Sequence, residues 1–128
     1  MGSWIWAVNI VPVLTHTNSC RTNNFDHLLK EQLLFFSELV ERCKDDSHKI
    51  VSIHSRLADK EVLDIIGDDF KFTPILHWYS GNINSLKIAC ERGYYFSVNL
   101  SMTRTKKFLE MLETIPHNKI SNRSKIIL

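Results

Sequence analysis

Two histidines, His54 and His77, end two short runs built to the same plan. One is Lys49-Ile50-Val51-Ser52-Ile53-His54-Ser55-Arg56, the other Pro74-Ile75-Leu76-His77-Trp78-Tyr79-Ser80-Gly81. Each reads as a buried, apolar strand that delivers a histidine at its C-terminal end. Neutral imidazole suits zinc and other borderline divalent ions, and a histidine fixed on a strand is pre-oriented for one. Either histidine alone is more ordinarily a hydrogen-bonded polar residue. Their equivalent placement, 23 positions apart, sets metal ligation beside that plainer role. Arg56, two residues beyond His54, has the forked donors that clamp a phosphate, or is an exposed loop arginine. Trp78 and Tyr79 could stack a base or wall a pocket, or pack as a buried pair, and Ser80 brings a hydroxyl to the same rim. His16, His27, His48 and His117 fall in loops or on a helix surface and are read as solvent-facing.

The elements around these runs are legible from periodicity. Phe25, Leu28, Leu29, Phe36, Leu39, Val40 and Cys43 recur at helical steps, and Leu33, Leu34 and Phe35 widen that stripe. Asn23 or Asn24 can cap this helix. Ala58 to Ile66 reads as a second helix stopped by Gly67, and a third runs from about Ile83 to Arg92 and stops at Gly93. Tyr94 to Leu100 is rich in β-formers, Thr103 to Thr114 is a fourth helix closed by Pro116, and Lys119-Ile120 starts a further strand. Such alternation argues an α/β fold with a parallel sheet, its strands near 49–54, 73–78 and 94–98 being neighbours.

Composition excludes more than it selects. A chain of 128 residues, 44% apolar and 23% charged, is an ordinary globular domain, and its net charge of +2 does not by itself argue for nucleic acid or membrane. Cys20, Cys43 and Cys90 form no CxxC pair, so reduced thiols and a cytoplasmic setting are expected. Trp4 to Leu14 is apolar but far short of the ~20 residues of a membrane span, and it lacks the basic flank of a signal peptide. A strand broken near Pro12 is expected there. Glycine-rich phosphate loops are absent.

With these residues in place the chain resembles the TatD family of metal-dependent deoxyribonucleases. The resemblance rests on His54-Ser55-Arg56-Leu57-Ala58 and on the run from Pro74 through Gly81. It continues through the helix and the Arg92-Gly93-Tyr94-Tyr95-Phe96-Ser97-Val98 turn and strand, to Glu113-Thr114-Ile115-Pro116-His117-Asn118-Lys119-Ile120. It covers roughly residues 25–120, and the helix from Phe25 to Cys43 is similar to the family helix that precedes the first histidine strand. Trp78, where cysteine is commoner, is similar to the TatD-like members of the Qat antiviral system. The resemblance implies His54 and His77 as metal ligands, with Arg56, Trp78 and Ser80 on the substrate side. It also implies a divalent ion (Mg, Mn or Zn), DNA as substrate, and a TIM-type (β/α) barrel with the chemistry at the C-terminal ends of its strands.

The departures define the rest of the expectation. The family opens with a strand carrying an HxH pair; here His16-Thr17-Asn18 stands instead. The family's metal-bridging glutamate has no counterpart, since residues 1–24 contain no acid. The family's ETD motif follows the segment that ends at Ile120, but no acid occurs from Ile120 through Leu128. A complete barrel takes about 250 residues, so a partial barrel, roughly half, is expected. Residues 25–120 would form it. Residues 1–24 would be an N-terminal segment whose Trp4–Val11 covers an open edge as an added strand, and 121–128 a tail. The function expected is a metal-dependent DNase with two of its metal ligands and no assignable catalytic residue. The alternatives are a non-catalytic remnant or interaction fragment, and one half of a split enzyme completed by a second chain; self-association through the open barrel edges is a further expectation.

Overall fold

The computed structural model describes residues 5–9, 24–55 and 58–121. In chain order these form β1 (Ile5–Asn9), α1 (Asn24–Cys43), β2 (Ile50–His54), α2 (Asp59–Ile66), β3 (Thr73–His77), α3 (Ile83–Glu91), β4 (Tyr95–Ser97), α4 (Lys106–Thr114) and β5 (Ile120–Ser121). Short 3-10 turns over Leu100–Arg104 and His117–Lys119 flank α4. The strands make one sheet in the order β1-β2-β3-β4-β5, every pairing parallel. This is an α/β arrangement of parallel strands alternating with helices, consistent with part of a TIM-type barrel. Among the described residues no helix is long and apolar enough to cross a membrane.

The register explains which side chains go where. Successive residues of a strand point to opposite faces, so pairing fixes whole rows. Ile53 stands beside Leu76 and Leu76 beside Phe96, and all three are buried in the core. That row belongs to one hydrophobic cluster with Phe36, Val40 and Cys43 of α1, Val62, Leu63 and Ile66 of α2, and Leu86 and Ala89 of α3. Burying each large side chain of this kind is worth roughly 1.5–3 kcal/mol. The alternate row runs Ser52, Ile75, Tyr95 on the opposite face. By the same alternation His54, His77 and Ser97 lie on that second face, away from the helix-covered core.

Pro74 sits inside a central strand, where proline is usually excluded because it cannot donate to the ladder. The Thr73 N–H bonds the Lys49 carbonyl at 2.9 Å, so it faces the β2 side. The N of Pro74 therefore faces the β4 side, where pairing starts only at Ile75 and Tyr95. The missing donor falls just before that ladder begins.

Two boundaries differ by three residues from those read in the sequence. The strand expected over Tyr94–Leu100 ends at Ser97. Asn99 turns the chain instead: its Oδ1 accepts the Met102 N–H at 3.0 Å and nucleates the 3-10 turn. The helix expected from Thr103 starts at Lys106, because Thr105 takes the capping position and its Oγ1 accepts the Phe108 N–H at 3.2 Å. The second helix ends where expected. Gly67 adopts φ +67°, a left-handed conformation that favours glycine, and its N–H bonds the Leu63 carbonyl at 3.0 Å.

Candidate functional site

β2 and β3 end side by side, and each ends in its histidine. The rings of His54 and His77 lie with centroids 6.0 Å apart and planes inclined by 59°. With metal–nitrogen bonds of about 2.0–2.1 Å, this is the order of spacing two imidazoles take around one ion. Both line a small cleft with Ser55, Trp78, Tyr79, Ser80 and Gly81. The cleft encloses about 10 Å³, room for one water-sized or ion-sized group. Burial holds the imidazole of His77 below its ordinary pKa, and the neighbouring His54 adds to the effect. Both causes favour the neutral ring, the form that ligates.

His77 is held from behind. Ser97 ends β4 directly beside it in register and is fully buried. Its Oγ lies 3.0 Å from His77 Nδ1 and accepts the Trp78 N–H at 3.1 Å. Trp78 follows with φ +49°, a left-handed backbone that a bulky residue adopts only when its surroundings impose it. Its indole stacks on His77, centroids 4.5 Å apart and planes within 23°, and is 37% exposed. Tyr79 turns the other way and is buried, edge-on to Phe96, with its Oη donating to the Asn82 carbonyl at 2.7 Å. The aromatic pair is thus split: Trp78 walls the cleft and Tyr79 joins the core. Burial, with the nearby Asp59 carboxylate, raises the Tyr79 phenol well above its ordinary pKa.

The rim beyond is tied at several points. Ser80 is exposed, and its carbonyl accepts from Lys107 Nζ at 2.7 Å. Asn82 caps α3, its Oδ1 accepting the Ser85 N–H at 2.8 Å. Gly81 passes so close to Tyr79 and Asp59 that a Cβ would stand 2.5 Å from Tyr79 Oη and 2.8 Å from Asp59 Cγ. Asp59, in the first turn of α2, thereby supports the loop from the α2 side and lies 3.5 Å from Asn82 Nδ2.

Of the residues singled out in the sequence, His54, His77, Trp78 and Ser80 line one cleft; Arg56 lies outside the described residues. His48 and His117 are exposed. Ser97 escaped the sequence reading. Its signal was a lone hydroxyl in an apolar strand, on the parity that faces His77, and only the register reveals that parity. The donor set suits the nitrogen half of a divalent-metal site and no more. No group of three or more His, Cys, Asp or Glu is gathered for a metal among the described residues. The described residues therefore do not fit a complete two-metal centre, which needs carboxylates to bridge the ions and balance their charge.

A protein-family model described as TatD related DNase matches residues 16–121. No curated protein matches the chain.

Proposed function

The chain belongs to the TatD related DNase family, a family of metal-dependent hydrolases, and from that premise we propose that it carries the nitrogen half of a phosphodiester-hydrolase metal site. His54 and His77 are the ligands, through rings that meet over one cleft. Arg56, Trp78 and Ser80 form the substrate side, with DNA as the polymer. The five parallel strands are one arc of the family's barrel, which takes eight strands when complete. The observation that carries this reading is the pair of strand-end imidazoles 6.0 Å apart. Two neutral imidazoles cannot hold the attacking water and offset the charge of two ions. The isolated chain therefore binds a divalent ion weakly and does not cleave DNA.

Calorimetric titration with Zn²⁺ and Mn²⁺, beside a nuclease assay in Mg²⁺, Mn²⁺ or Zn²⁺, tests both halves of the proposal. Weak binding by wild type, lost in His54→Ala and in His77→Ala, with no cleavage by any of the three, is the expected result. Metal-dependent cleavage by wild type that both substitutions abolish would overturn the inactive reading. Undiminished binding in both variants would remove the histidines as ligands.

A further inference from the structure

A serine hydroxyl offers one donor and two acceptor lone pairs. At Ser97 one lone pair is taken by the Trp78 N–H, which can only donate. The remaining contact is with His77 Nδ1 at 3.0 Å. We propose that Ser97 is the positioning residue of the cleft: its one buried hydroxyl pins both the ring of His77 and the left-handed turn at Trp78, so that Nε2 is the nitrogen His77 presents.

The hydroxyl can serve the ring in two ways. When Ser97 O–H donates to Nδ1, His77 is neutral with its proton on Nε2. The Ser97 hydroxyl then both donates and accepts, as an oxygen with no exposure requires. When Nε2 is engaged by a ligand, the proton sits on Nδ1 and the hydroxyl accepts it. In either state Nδ1 faces the same oxygen, 3.0 Å away in the structure. The turn at Trp78 depends on the same atom. Its amide hydrogen is aimed across the sheet at β4, so the strained φ of +49° is held by a bond to the neighbouring strand as well as by the chain. The indole then closes over the ring at 4.5 Å. A histidine held by one partner through its rear nitrogen is the arrangement that sets tautomer and orientation in ligand sites generally. The inference uses the reading of His77 as a ligand only for its consequence in metal binding, not for the hydrogen-bond geometry.

The test uses the whole 128-residue chain uniformly labelled with ¹⁵N, without added metal, with His77→Ala supplying the histidine assignment. Long-range ¹H–¹⁵N spectra of wild type are expected to show one neutral tautomer for His77, protonated on Nε2. In Ser97→Ala the two ring nitrogens should move toward an averaged pattern and the Trp78 amide should exchange with solvent faster, while Ser97→Thr restores both. An averaged His77 pattern in wild type, a reading that does not depend on Ser97→Ala folding, would overturn the proposal. So would a Ser97→Ala spectrum and Trp78 amide that match wild type. Zinc titration then separates the two claims. Binding at least about 10-fold weaker in Ser97→Ala supports the positioning role. Equal binding in wild type and Ser97→Ala counts against it. No zinc binding by wild type, with the tautomer still dependent on the hydroxyl, removes the metal reading and leaves Ser97 in place.

Discussion

Tyr94 is fully buried, and its hydroxyl has no hydrogen-bond partner among the described residues. Burial pushes its phenol up to about 12, an effect moderated by the nearby Arg92. In the unfolded chain the same phenol ionises near 10. Between those values the unfolded state gives up the proton first, so the stability linked to Tyr94 is fully present below pH 10 and is lost as pH rises through about 12. Tyr79, Cys43 and Cys90 are shifted upward as well, chiefly by burial, and act in the same direction. Tyr94→Phe is therefore expected to flatten the alkaline fall in the urea midpoint. At pH 7 it should be neutral or about 1 kcal/mol more stable, since it removes an unpaired buried hydroxyl. A loss of more than about 2 kcal/mol at pH 7 would mean that the hydroxyl is paired in solution.

The loop from Trp78 to Asn82 is held from three elements. β4 holds it through Ser97, α4 through Lys107, and α2 through Asp59 packed behind Gly81. Gly81→Ala would drive a Cβ into Tyr79 and Asp59, and is expected to cost about 1–3 kcal/mol in a denaturant melt while displacing Tyr79 from its core contacts. A substitution without measurable cost would mean that the loop is free to shift. This loop also marks the limit of what was legible in the chain. The strands ending in His54 and His77 were readable because branched apolar residues run up to a polar stop, and α2 because Gly67 follows its apolar stripe. The end of β4 was not, because Asn99 competes with the ladder through its own side chain, a local contest that β-propensity does not score. Ser97 and Lys107 were invisible as parts of the site. They reach it across 19 and 27 residues of sequence, by register or by packing.

At the scale of the molecule, β1 and β5 are the outer strands of the described sheet, each paired on one side. Strand edges of this kind recruit other strands. Leu34 and Phe35 add exposed apolar surface on α1, at 67% and 63% exposure. Light scattering is expected to find a mass that rises with protein concentration; a monomer mass across the whole range would dismiss edge pairing. The uniform direction of the strands has another outcome, electrical in kind. Each helix that follows a strand begins near the rim where that strand ends, so α2, α3 and α4 all start on the side of His54 and His77. A helix start carries roughly half a positive charge from its aligned peptide dipoles. Several such ends converge on the face that holds the cleft. Those ends add positive potential to that face, a contribution that the net charge of +2 does not count. The backbone thus supplies a positive contribution of its own there, which on α2 the Asp59 and Glu61 carboxylates of the first turn offset.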